Sequence, residues 1–160
     1  MERIGSQEPT TSFILPYQET DGQTAVDLYE MTGRSAMEWQ KALIYDILAK
    51  GPDGRWVHSR FGYAVPRRNG KGEVVVMREL YGLAIGEKIL HTAHLTSTSH
   101  NGWERTKELL DKLVENGQVA FQYVDLSGNA TSDIRFNPND STFAIEGITS
   151  PDGRIIGKMG

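Results

Sequence analysis

A loop whose residue types suit phosphate binding lies near the middle of the chain. Residues 65–72 read V-P-R-R-N-G-K-G. A loop of the form G-x-x-x-x-G-K-[ST] binds a nucleoside triphosphate because glycine lets backbone N–H groups approach the phosphates and the lysine reaches the terminal ones. Gly70 and Lys71 fit this form, whereas Val65 replaces the first glycine and Gly72 replaces the hydroxyl residue. The core of the motif is therefore present and both of its flanks differ.

A strand before the loop and a helix after it would position such a site. Alternating apolar residues predict a strand over 56–65, and apolar residues at helical spacing predict a helix that opens near Lys71. The alternative is a hairpin that turns at Asn69-Gly70 and returns over residues 73–76. The helical spacing weighs against the hairpin, as does the missing N–H of Pro66. The residues at helical spacing are Val74, Met77, Leu80, Tyr81 and Ala84.

Composition narrows the class of protein. The 160 residues have a formal net charge of −4, with 38% hydrophobic and 24% charged residues and no cysteine. These values predict a soluble domain with a sizeable core, and they exclude disulfides and cysteine-based zinc sites. The negative charge argues against a generally basic nucleic-acid binder. No apolar run approaches the length of a membrane span, so the chain is expected in a reducing cytoplasm.

The rest of the chain predicts alternating helices and strands. Residues 1–37 are polar and are interpreted as an arm with little regular structure. Helices are predicted over about 38–49 and from 96–99 to near 116, where N-cap residues and a glycine mark the ends. A short apolar run over 89–95 predicts a buried parallel strand. Further strands are predicted over 119–124, 133–137 and 141–145, the last two paired with each other.

Three short motifs in this order resemble one known family. They are Trp39-Gln40, the loop at 66–72, and the stretch H-T-A-H-L-T-S-T-S at 91–99. The set resembles the ATPase domain of the large terminase subunit of tailed bacteriophages, over about residues 31–160. The resemblance implies an α/β fold: a partial P-loop NTPase with a mainly parallel sheet, a helix before the P-loop strand and a C-terminal β-hairpin. It implies an incomplete sheet, because the domain over 38–160 ends before the acidic Walker B strand.

The resemblance also implies a nucleotide site with ATP and Mg²⁺ as cofactors. Lys71 and Arg68 would be catalytic, and Gly72 leaves the metal without its usual hydroxyl ligand. The residues alone leave alternatives open: Trp39 packs in the core, and Arg67 and Arg68 are solvated loop arginines. No histidine is predicted to bind a metal, since His91 and His94 point to opposite faces of a strand. The implied nucleotide-binding residues are Trp39, Gln40, Pro66, Arg67, Arg68, Asn69, Gly70, Lys71, Gly72 and Glu73.

The implied function is that of a viral DNA-packaging motor. The parent protein would couple ATP hydrolysis to translocation of double-stranded viral DNA into procapsids in the host cytoplasm. Its partners would be the portal protein, the small terminase subunit and further copies of itself in a ring, with no membrane. The chain itself is expected to be inactive alone, because no apolar run ends in Asp-Glu. The alternatives are a nucleic-acid helicase fragment and a non-enzymatic phage structural or adaptor module.

Overall fold

The computed structural model describes residues 5–115, 121–124, 142–149 and 155–159. The chain divides into two units, residues 1–77 and 78–160. The helices are α1 (Gly22–Glu30), α2 (Glu38–Ile47), α3 (Lys71–Ala84) and α4 (Thr96–Glu115). The strands are β1 (Glu19–Thr20), β2 (Ala49–Lys50), β3 (Lys88–Thr92), β4 (Phe121–Val124), β5 (Thr142–Thr149) and β6 (Ile155–Met159).

Helices α1 and α2 pack together in the first unit. Ala25, Val26 and Tyr29 recur at helical spacing and are buried on one face of α1. At the start of this helix, a Cβ added to Gly22 would lie 1.9 Å from Tyr45 Cδ1, so only glycine fits there. Residues 1–37 were predicted to have little regular structure. That prediction is wrong for residues 22–30, because the apolar face of α1 finds a partner helix that the sequence does not reveal.

Helix α2 confirms the prediction for residues 38–49 to within two residues. It begins after Met37, whose backbone N–H donates to Oε1 of Gln40 at 2.7 Å. The side chain of Gln40 therefore satisfies a backbone donor at the helix start, as in a capping box. Strand β2 follows α2 and pairs antiparallel with β1, Thr20 opposite Ala49.

Helix α3 opens at Lys71, where the sequence predicted it, and the hairpin alternative at Asn69-Gly70 is wrong. Its buried face carries Val74, Met77 and Leu80, each at most 1% exposed. The strand predicted over 56–65 is absent, however. Residues 57–65 form no strand, and Trp56 makes only an isolated bridge to Lys50. A strand requires a neighbour that pairs with its backbone. Here β2 contacts only the start of the segment, where the N–H of Val57 donates to the carbonyl oxygen of Ala49 at 2.8 Å, and no described strand pairs with residues 58–65.

The second unit contains a four-stranded sheet in the order β3-β5-β6-β4. Strand β5 is antiparallel to β3, with Leu90 opposite Ala144, and antiparallel to β6, with Gly147 opposite Gly157. Strands β4 and β6 are parallel. The predicted mainly parallel sheet is therefore wrong for the described strands. Only residues 150–154 separate β5 from β6, and so short a connection permits an antiparallel pair but not a parallel crossover.

The individual strand predictions have mixed outcomes. Strand β3 confirms a strand within 89–95, but it is antiparallel to its neighbour and alternates between exposed and partly exposed residues. Strands β4 and β5 confirm those predicted over 119–124 and 141–145. The strand predicted over 133–137, and the turn that would join it to the next, lie outside the described residues. Helix α4 confirms the second long helix, and Leu109, Leu110 and Leu113 are buried along it.

Candidate functional site

The loop at 66–70 leads directly into the first turn of α3. Two of its residues have left-handed backbone conformations, Arg68 with φ of 63° and Gly70 with φ of 80°. Gly70 also lies close to a neighbouring side chain, because a Cβ added there would meet Gln40 Nε2 at 2.9 Å. Glycine is therefore required at position 70 for both conformation and space. The first N–H groups of α3, those of Lys71 and Gly72, have no intrahelical acceptor and carry the positive end of the helix dipole.

Side-chain hydrogen bonds from Gln40, Tyr63 and Asn69 hold this loop in place. Gln40 Nε2 donates to the carbonyl oxygen of Gly70 at 2.9 Å. The hydroxyl of Tyr63 donates to the carbonyl oxygen of Lys71 at 2.7 Å, and Asn69 Nδ2 donates to the carbonyl oxygens of Pro66 and Arg67, both at 3.1 Å. Burial raises the pKa of Tyr63, so its hydroxyl stays protonated as a donor at neutral pH.

Glu73 is anchored rather than open to solvent. The hydroxyl of Tyr29, a residue 3% exposed, donates to Glu73 Oε2 at 2.5 Å. Burial and the bond to this carboxylate together raise the pKa of Tyr29 to about 12. The pair fixes the first turn of α3 against α1. Glu73 thus acts on the position of the helix start, and its predicted contact with a nucleotide stays a prediction.

The Trp39-Gln40 pair does not present two open side chains. Gln40 is 3% exposed, and its amide already contacts Met37 on one side and Gly70 on the other. Its role in this structure is to join the start of α2 to the loop. Trp39 is partly exposed and its indole Nε1 lies 3.3 Å from Met37 Sδ. Recognition of adenine by these two residues stays a prediction.

Positive charge concentrates on and before the loop. Between Asp53 and Glu73 the sequence has five arginine or lysine residues and no carboxylate. Four of these cations are exposed and make no ion pair within the described parts of the chain; they are Arg60, Arg67, Arg68 and Lys71. The fifth, Arg55, lies 3.9 Å from Asp53. The loop therefore presents unneutralised positive charge beside a helix N-terminus, an arrangement that attracts anions.

A second polar cluster, in the other unit, was not predicted. Glu79 on α3 is 4% exposed, and its carboxylate oxygens lie 2.5 Å from His91 Nδ1 and 2.8 Å from Thr106 Oγ1. Thr106 is fully buried on α4. A glutamate within the apolar spacing of α3 was the available signal, since a buried carboxylate requires donors. A carboxylate that orients an imidazole in this way is found beside histidines that act as general bases. The same contacts also stabilise the buried carboxylate of Glu79.

The second half of the chain is similar to one family of known proteins. The family model of the CobB/CobQ-like glutamine amidotransferase domain matches residues 83–160, just under half of the 160 residues. This region contains β3 to β6 and α4, and it begins within six residues of the start of the second unit.

The relatives matched by parts of this chain include a phosphoribosylformylglycinamidine synthase and subunits of such synthases. The phosphoribosylformylglycinamidine synthase of Saccharomyces cerevisiae is 42% identical over 57 residues, 36% of this chain and 4% of that protein. The PurQ subunits of this synthase from Picrophilus torridus and Chlorobaculum parvum are 50% identical over 50 residues and 46% over 52. These matches cover 31% and 32% of this chain and 20% of each subunit. No solved structure matches the chain.

These matches overturn the resemblance to a phage terminase. Three short motifs carried that resemblance, whereas the relatives match over continuous stretches of 50 residues or more. The P-loop NTPase fold, the DNA-packaging function and the viral partners are therefore wrong. Those partners were double-stranded viral DNA, the portal protein, the small terminase subunit and a terminase ring. Among the described residues, no helix is long and apolar enough to cross a membrane.

Proposed function

We propose that residues 83–160 are part of a glutamine amidotransferase domain whose parent protein serves the synthesis of phosphoribosylformylglycinamidine. The observation that carries this proposal is the match of the amidotransferase family model to residues 83–160, which contain α4 and β3 to β6. The amidotransferase family model begins at residue 83, and the second structural unit begins at residue 78. Both positions lie within α3, so the matched residues include every described strand of the four-stranded sheet.

The chemistry of such a domain sets a limit on this chain. Releasing ammonia from the side-chain amide of glutamine requires a nucleophile and a group that moves protons. The 160 residues contain no cysteine, so a thiol nucleophile is not among them. We therefore propose that this segment contributes framework and substrate contacts and does not supply a thiol nucleophile. This chain alone should release no ammonia from glutamine.

The proposal includes partners and a compartment. The matched relatives from Picrophilus torridus and Chlorobaculum parvum are named as subunits of the synthase. By analogy, the parent of this chain would assemble with the remaining subunits of such a synthase. We place it in the cytoplasm, a reducing compartment in which proteins rarely have disulfides. This placement agrees with a chain that contains no cysteine.

A segment exchange tests this function directly. In the Picrophilus torridus PurQ subunit, the segment that matches this chain would be replaced by the 50 residues of this chain that match it. If the two segments are equivalent, the hybrid should retain glutamine-dependent synthase activity when mixed with the remaining subunits. The matched control is the same exchange with the segment from Chlorobaculum parvum PurQ.

The control decides how a failure is interpreted. An active hybrid with the Chlorobaculum segment, beside an inactive but folded hybrid with the segment of this chain, would reject the amidotransferase proposal. Folding would be checked by circular dichroism and by the elution volume of each hybrid. Activity in both hybrids would support the amidotransferase proposal.

A second function is supported by the first unit, which the family model does not cover. We propose that residues 66–71 bind a phosphate group, with a nucleoside triphosphate and Mg²⁺ as the ligand class. The support is the left-handed loop at the start of a 14-residue helix together with its unpaired cations. The loop is fixed by Gln40 and Tyr63, so it is preorganised for an anion. Catalytic roles for Lys71 and Arg68 stay predictions that depend on this binding.

Thermal shift with Mg-ATP tests the second proposal. At a concentration a hundredfold above Kd, a ligand stabilises the folded state by about 2.7 kcal/mol. Lys71→Ala should abolish the shift, whereas the matched control Lys112→Ala, on the partly exposed surface of α4, should preserve it. Gly72→Ser should increase the Mg²⁺-dependent part of the shift by restoring a hydroxyl ligand. Equal shifts in wild type and Lys71→Ala would reject the site.

A further inference from the structure

Strand β3 lies at an edge of the sheet and is flanked by exposed apolar side chains. It pairs with β5 on one side, and no described strand pairs with its other side. Three large apolar residues of the second unit are strongly exposed: Ile85 at 48%, Leu90 at 69% and Leu95 at 54%. All three lie in or beside this strand. An edge that combines open backbone groups with exposed apolar side chains is a template for pairing with another strand.

The two faces of β3 differ in their surroundings. Ile89 and His91 face α3, since Ile89 Cδ1 lies 2.9 Å from the position of a Cβ on Gly82 and His91 contacts Glu79. Lys88, Leu90 and Thr92 alternate with them and are exposed. The strand spans five residues, and Leu90 stands at its centre. The edge also lacks proline, a common device for blocking such pairing.

The sequence of β3 is complementary to itself. We propose that β3 pairs antiparallel with β3 of a second copy of this chain, around a two-fold axis at Leu90. This register places Leu90 opposite its copy, so two exposed apolar side chains cover each other. It places Lys88 opposite Thr92 and Ile89 opposite His91, so no two lysines face each other directly. A two-fold arrangement of this kind is closed and yields a dimer of eight continuous strands, not a filament.

The oligomeric state in solution tests this dimer. Sedimentation equilibrium on the whole chain, from about 5 to about 500 µM, should show a monomer–dimer equilibrium, because a five-residue edge supports only modest affinity. Leu90→Lys places two like charges opposite each other and should weaken association by roughly tenfold or more. Leu15→Lys makes the same exchange at an exposed site in the other unit and should leave the equilibrium unchanged.

A cross-link tests the register and does not depend on affinity. The chain has no cysteine, so a single introduced thiol reports one contact. Leu90→Cys places two thiols opposite each other, within reach of a disulfide after small adjustments. Thr92→Cys places each thiol opposite Lys88 and should cross-link far more slowly. A chain that stays monomeric throughout, species larger than the dimer, or equal cross-linking by the two variants would each overturn the proposal.

Discussion

The hydroxyl of Thr106 offers the cleanest test of how the second unit is held together. Thr106 is fully buried on α4 and donates to Oε2 of Glu79, itself 4% exposed, at 2.8 Å. Thr106→Val keeps the shape and removes only this donor. A buried carboxylate that loses a hydrogen-bond donor costs about 1.5–3 kcal/mol, so we expect a loss of that size in the free energy of unfolding. The change is electrically neutral, which leaves the contact between Glu79 and His91 in place.

Urea unfolding would measure this loss, with fluorescence and circular dichroism as two probes. Trp103 is buried one helical turn before Thr106 and reports on the same region. The control is Thr98→Val, an exposed position on the same helix, for which the change should stay within about 0.5 kcal/mol. If the two variants are equally stable, Glu79 does not depend on Thr106 and the inferred cluster is wrong. If the two probes disagree, the units unfold separately and each requires its own fit.

Three further predictions concern the first unit. Gly22→Ala should destabilise the fold by roughly 1–3 kcal/mol, because the added Cβ would overlap Tyr45. Gly72→Ala has open space around it and should stabilise α3 by up to about 1 kcal/mol. The two variants should therefore shift the urea midpoint in opposite directions from that of wild type. Burial and Glu73 raise the pKa of Tyr29 from 10.0 to about 12. The protonated hydroxyl therefore contributes fully to the free energy of unfolding below pH 10, and this contribution is lost as the pH rises toward 12. The urea midpoint of Tyr29→Phe should therefore fall less steeply over that pH range than that of wild type, and parallel curves would count against the pair. Arg68→Gly should raise the melting temperature by relieving about 1 kcal/mol or more of left-handed strain, while Arg67→Gly, at a residue without positive φ, should bring no gain.

Local sequence signals determined three of the four helices in the described part of the chain, α2, α3 and α4. The spacing of Val74, Met77 and Leu80 predicted α3, and the change from glycine-rich loop to apolar periodicity at Lys71 marked its start. Helices can be predicted in this way because their hydrogen bonds join residues four apart, so pattern and structure share one stretch of chain. The loop at 66–70, whose residue types suit phosphate binding, was also apparent from sequence, although its ligand stays a prediction.

Short motifs were a poor guide to the family. The loop at 66–72 and the pair Trp39-Gln40 suggested a packaging ATPase, yet the matched family model covers residues 83–160 and neither of these motifs. A motif of a few residues recurs in unrelated proteins and carries meaning only in its structural context. Here that context fails, because the strand that should enter the loop over 56–65 does not form.

The tertiary structure alone decided the sheet and the buried polar contacts. A short apolar run such as β3 does not encode whether its neighbour is parallel or antiparallel, since its partner β5 lies about 50 residues away in sequence. The contacts of Glu79 with His91 and Thr106, and of Gln40 with Gly70, likewise join residues 12 to 30 positions apart. Such pairs depend on how helices and strands pack. The sequence by itself therefore determined α2, α3 and α4, whereas packing determined α1 and which polar side chains meet.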